Sequence, residues 1–156
     1  MIKAQIKIGS DGEFKDTYDT YGLCYIEADK TVGPSAKDFE ATSYPEEEGE
    51  NILPKSVDEA FDFKVVFLVE AHDDLGQVAA RVKAFNAALY AATEESDTKE
   101  FKQVSLQIPT RNITVVGYPK PISSATDYWY DSDNNKADAA LVEFTIRVNK
   151  PSLCTF

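Results

Sequence analysis

The stretch Val142-Glu143-Phe144-Thr145-Ile146-Arg147-Val148-Asn149 alternates apolar and polar residues at every step until Pro151 stops it. A period of two sets Val142, Phe144, Ile146 and Val148 on one face of a strand and Glu143, Thr145 and Arg147 on the other. The same period runs through Phe61-Asp62-Phe63-Lys64-Val65-Val66-Phe67-Leu68-Val69-Glu70. Its aromatic and β-branched content favours strand, and its second half is apolar on both faces. Working outward, Ile2, Ala4, Ile6 and Ile8 alternate with Lys3, Gln5 and Lys7, and Ser10-Asp11-Gly12 supplies a turn where the chain reverses. Leu23 to Glu27 reads as a strand with both faces buried. Val104, Leu106 and Ile108 form another, Pro109 interrupts it, and Asn112 to Tyr118 restarts the pattern.

One segment carries a helical period instead. Asp74 and Gln77 have the spacing of a capping box, and Val78, Val82, Phe85 and Leu89 recur at steps of four, three and four. Seven alanines between Ala79 and Ala92 raise the propensity further, so the predicted helix runs from about Leu75 to Ala92. Many strands with one helix predict an α+β fold, a mainly antiparallel β-sandwich or open barrel with the helix (about 75–92) packed on it.

The chain has 156 residues, which suits a single domain over residues 1–156. Sixteen basic side chains against 27 acidic ones give a formal charge of −11. That balance excludes a general nucleic-acid binder, which needs a basic footprint to release counterions, and argues against attachment to an anionic membrane. No apolar run is long enough to span a bilayer, and the N-terminus lacks the apolar core of a signal peptide. A soluble protein made in the cytoplasm is expected. The charge is concentrated: Asp38 to Asp62 holds nine acids against one base, Lys55, for a net −8, and includes Pro45, Gly49 and Pro54. A long acidic loop at about 38–60 is therefore expected, and loops of this length inside compact domains are usually functional or disordered.

The residues offer little chemistry. His72 stands beside Asp73 and Asp74 with no nucleophile motif, and reads as a strand-to-helix turn. Asp131-Ser132-Asp133-Asn134-Asn135 matches the start of a calcium loop, but Lys136 occupies the glycine position and Val142 that of the bidentate glutamate, so a hairpin loop is expected. Cys24 and Cys154 lie 130 positions apart without metal-site spacing and read as reduced thiols packed as small apolar residues. No phosphate loop, dinucleotide fingerprint or zinc spacing is present. A non-enzymatic protein that requires no metal or cofactor is expected. The candidate interaction residues are Glu46, Glu47, Glu48 and Glu50 in the acidic segment and the aromatic run Tyr128, Trp129 and Tyr130.

The order Asp19-Thr20-Tyr21-Gly22-Leu23, Pro34, Tyr44-Pro45-Glu46-Glu47-Glu48-Gly49-Glu50-Asn51-Ile52, Phe61-Asp62-Phe63-Lys64-Val65, a helix, then Asn112-Ile113-Thr114-Val115-Val116-Gly117-Tyr118 resembles the N-terminal domain of phage distal tail proteins. It is more closely similar to small tail proteins in prophages of gut Bacteroides-type bacteria. Tail-tube and tail-completion proteins share a related sandwich-plus-helix architecture. The family pattern has an aromatic-Gly-aliphatic early strand, a loop near Ile-Pro-Gly-Arg-Asp-Gly, an alternating strand, one helix and a returning hairpin. Here the acidic run Pro45 to Asn51 replaces the Gly-Arg-Asp-Gly core, and the galectin-like C-terminal domain of longer members is not expected in residues 1–156. The resemblance implies a non-enzymatic virion part that forms a ring, typically a hexamer, with itself and neighbouring tail proteins as partners. It would be found in the bacterial host cytoplasm during assembly and then in the virion tail, with DNA passing through the ring lumen and no sequence-specific nucleic-acid binding. A soluble monomeric module that binds carbohydrate or peptide through Tyr128-Trp129-Tyr130 is the alternative.

Overall fold

A computed structural model describes residues 3–10, 12–28, 36–38, 40–43, 45, 48–53, 58–70, 76–92, 98–131 and 136–156. Its elements, in chain order, are β1 (Gln5–Ile8), β2 (Lys15–Asp16), α1 (Thr17–Tyr21), β3 (Leu23–Ala28), β4 (Glu40–Thr42), β5 (Asn51–Leu53), β6 (Phe61–Glu70), α2 (Gly76–Ala88), β7 (Tyr90–Ala92), β8 (Lys99–Phe101), β9 (Val104–Ile108), β10 (Ile113–Lys120), β11 (Ala125–Asp131) and β12 (Lys136–Val148).

The two most regular alternations become the two longest strands and pair with each other. Phe63, Val65, Phe67 and Val69 of β6 lie opposite Ile146, Phe144, Val142 and Ala140 of β12. All eight are buried, so period two in sequence becomes one continuous core face. Each pairing on the main path is antiparallel, in the order β2-β1-β9-β10-β12-β6-β3, with β11 also on β12. This sheet folds over on itself. Ile113 to Gly117 of β10 pair with β9, whereas Tyr118 to Lys120 pair with β12, so one strand belongs to both layers. The first layer is β2-β1-β9-β10 and the second is β10/β11-β12-β6-β3, with the core between them. The α+β sandwich or open barrel expected from the sequence is the fold observed.

The helix α2 closes the core through Phe85, and Leu89 just beyond its end does the same, both fully buried, with Val78 and Val82 packed at the margin. It ends at Ala88, short of the expected Ala92, and Tyr90–Ala92 instead pair with Lys99–Phe101. The cause is a contact from a distant part of the chain. The Asn86 side chain is tied to Ile122, its amide N–H donating to the Ile122 carbonyl (2.8 Å) and its amide oxygen accepting from the Ile122 N–H (2.9 Å). Leu89 N–H then folds back to the Asn86 carbonyl, and strand pairing overrides alanine propensity.

Three further expectations are corrected. A second helix, α1, follows β2; the Asp16 carboxylate caps it by accepting from the N–H groups of Tyr18 and Asp19, and Gly22 ends it at φ 73°. β3 is not buried on both faces: Leu23 and Tyr25 are inside, but Ile26 sits in a bulge and is 45% exposed. The acidic segment is not wholly irregular. β4 and β5 pair as an antiparallel ribbon, extended by a bridge between Ala36 and Asp58.

Candidate assembly interface

The second layer has two open edges. β3 lies at one and β11 at the other, and no described strand pairs with the outer side of either. Direction alternates along β3, β6, β12 and β11, so the two edges run opposite ways. Both are bulged, β3 between Tyr25 and Glu27 and β11 around Asp127, Trp129 and Tyr130. Open edges carry unpaired N–H and C=O groups and are templates for pairing with another chain.

The core and α2 lie on one face of this layer; on the opposite face Val66, Leu68 and Leu141 are half-buried. Asp62, Lys64, Glu143 and Arg147 stand on it, with Lys120 at its end. Asp62 receives Lys120 at 3.0 Å and Arg147 at 3.3 Å, and Lys64 lies 3.8 Å from Glu143. The Lys120 hydrogen bond, helped by Arg147, holds the Asp62 carboxyl below the usual carboxylate range. Each of these three cations therefore has a carboxylate beside it, and the face presents no unopposed positive charge among its described residues.

The acidic ribbon stands apart from both layers. Every side chain described between residues 36 and 60 is exposed, including Glu48, Glu50 and Ile52. At its tip Ser43 Oγ donates to the Gly49 carbonyl (3.4 Å), and Gly49 takes φ 80°. Glu46 and Glu47 lie outside the described residues, as do His72, Asp73 and Asp74. Tyr128, Trp129 and Tyr130 fall on β11, at an open edge; the description of these three covers the backbone. β11 and β12 pair antiparallel up to Asp131 opposite Lys136; residues 132–135, where the hairpin loop is expected, lie outside the described residues.

No cluster of three His, Cys, Asp or Glu could hold a metal among the described residues, and none of the described helices is long and apolar enough to cross a membrane. Cys24 and Cys154 are separate reduced thiols, both half-buried, and burial raises the pKa of each. Cys154 Sγ accepts from the Val116 N–H at 3.3 Å, so it fills a backbone partner's place on β10. Sequence reading located the acidic and aromatic runs but missed the open edges. Their one local signal is the β3 alternation, in which Ile26 breaks the polar side.

No protein-family model matches the chain, and no curated protein is similar to it in sequence. Solved structures do match. The crystal structure of Dit from phage SPP1, a hub adsorption-apparatus protein of phages that infect Gram-positive bacteria, superimposes with a TM-score of 0.55 at 14% identity, over 95% of this chain and 50% of that one. The chain shares the fold of this half of Dit. It spans half the length of Dit, and the resemblance to tail proteins drawn from the sequence holds at the level of the fold. A sheath-tube complex of an extracellular contractile injection system also aligns, at TM-score 0.39 and 9% identity, over 96% of this chain and 86% of that one. Neither structure carries the narrower likeness to Bacteroides-type prophage proteins.

Proposed function

We propose that the protein is a non-enzymatic structural component of a phage or prophage tail, and that it builds a ring by pairing β3 of one copy with β11 of the next. One observation carries this reading: the second layer is an antiparallel sheet whose two edges are open and oppositely directed. Copies related by rotation about an axis along the strands bring β3 beside β11 in antiparallel sense, so the ladder continues from copy to copy and closes. The first layer and α2 crowd one face of the sheet, so closure curves toward the opposite face, which then lines the lumen. A lumen suited to passing DNA must not grip phosphates. Lys64, Lys120 and Arg147, each beside a carboxylate, satisfy that condition. The ring is a hexamer if it follows the family the sequence resembles.

Ile26→Lys tests the edge. Ile26 is exposed in the monomer, so the substitution should change stability by less than about 0.5 kcal/mol, while a lysine on the pairing edge blocks self-association. Sedimentation velocity reads the result. Unchanged assembly of the variant would refute the β3 edge, and a wild-type protein that stays monomeric at all concentrations would leave the binding-module alternative standing.

The acidic segment serves the same assembly, either by lining the lumen or by docking on a neighbour. A ribbon exposed at every described position favours docking. Replacing Glu46, Glu47, Glu48 and Glu50 with Gln is expected to weaken assembly. Full assembly with a flatter salt dependence would favour the lumen lining instead, and no change of either kind would mean that the segment is merely solvated.

A further inference from the structure

A groove separates the β1–β2 turn from the C-terminal end of α2. Its volume is about 240 Å³, its floor is Ile6, Ile8, Tyr21 and Ala88, and Lys15 and Lys102 stand on its rim with Glu13. Neither Lys15 nor Lys102 has an ion-pair partner among the described residues. The acidic ribbon has the converse character. Ile52 is 46% exposed, an apolar side chain left in water. Ala41 pairs across from it, so the two share one face of the ribbon. Glu48 and Glu50 lie in the bend just before β5, which begins at Asn51, close in sequence to Ile52. An isolated two-stranded ribbon is marginal in water, so a form that persists gains from a surface to lie on.

We infer that this groove receives the Ile52 face of the acidic ribbon from a second copy of the chain, with Lys15 and Lys102 meeting Glu48 and Glu50. The inference rests on the ring proposed above and names a second contact within it. The β3–β11 ladder sets the spacing of neighbouring copies, and the ribbon clasps the next copy at a second surface. Two complementarities coincide: an exposed isoleucine with the half-buried Ile8, Tyr21 and Ala88 of the groove, and the most acidic segment of the chain with two lysines that have no ion-pair partner among the described residues. The ribbon and the groove are distinct surfaces of one chain, so the contact is head-to-tail and propagates around a ring.

Charge reversal tests it. Lys15→Glu with Lys102→Glu, both at exposed positions, should raise the concentration needed for half-assembly by about tenfold or more. Adding Glu48→Lys and Glu50→Lys to the same chain should restore assembly, because every groove then meets a ribbon of opposite sign. Ile52→Ala should weaken assembly without altering the monomer's melt. Three results overturn the inference while leaving the ring intact: assembly of the lysine variant at wild-type concentration, no rescue by the reversed ribbon, or no effect of Ile52→Ala. Failure of the wild-type chain to assemble, together with no effect of Ile26→Lys, overturns the ring and the clasp together.

Discussion

Phe85→Ala is expected to lower the unfolding free energy by about 3–5 kcal/mol, the usual cost of deleting a ring from a closed core. Phe85 is fully buried. Its ring meets Tyr21 edge-on at 5.2 Å and Phe144 at 5.1 Å, so it joins α1, α2 and the central strand β12. These three elements come from distant parts of the chain, and no neighbour is free to collapse into the space. The adjacent positions on the same helix face supply the control: Val78 and Val82 are only partly buried, and Val82→Ala should cost much less. Urea denaturation of both variants decides the matter. A loss below about 1 kcal/mol for Phe85→Ala would show that the helix does not seal the core.

How far this fold could be read from sequence depends on the range of the interaction that sets each element. β6 and β12 were legible because burial on one face imposes period two on the residues themselves. The Phe85 and Leu89 stripe was legible for the same reason at period 3.6. Where a partner sets the structure, the local signal fails. α2 stops early because Asn86 hydrogen-bonds to Ile122, 36 positions away. α1 has a capping aspartate and a terminal glycine, but at five residues it is too short to show a period. The β4–β5 ribbon buries none of its described side chains, so its pairing left no hydrophobic pattern to read.

The candidate interface follows the same rule. An open edge is defined by a strand that is absent, and no residue type marks an absence. Glu48 and Glu50 stood out by charge, but their sequence gave no indication that they sit on a ribbon bearing an exposed Ile52. The lysines of the groove are scattered over Lys15 and Lys102, and only the fold brings them together.

Gly117→Ala is expected to cost about 3 kcal/mol and to abolish assembly even where the variant remains folded. A Cβ at this position would lie 2.3 Å from the Arg147 carbonyl oxygen and 2.9 Å from the Ile146 Cγ2. The nearest obstacle is backbone of the paired strand, which cannot swing aside as a flexible side chain can. Gly117 is the last β10 residue to pair with β9, and Tyr118 is the first to pair with β12, so the clash falls where the strand passes from one layer to the other. Relief requires β10 to move away from β12, loosening the layer whose edges form the proposed ring. Gly9→Ala separates this steric effect from backbone strain. Gly9 sits at φ 83°, and its nearest neighbour to a new Cβ is the Lys102 Cδ at 3.9 Å, so its cost of about 1–2 kcal/mol arises from the left-handed backbone alone. Gly9 lies in the first layer's turn, away from β3 and β11, so Gly9→Ala should keep the β3–β11 ladder once folded, although its new Cβ stands beside Lys102 of the groove. Equal assembly of the two variants at matched folded fraction would refute the strand crossing as the hinge between fold and ring.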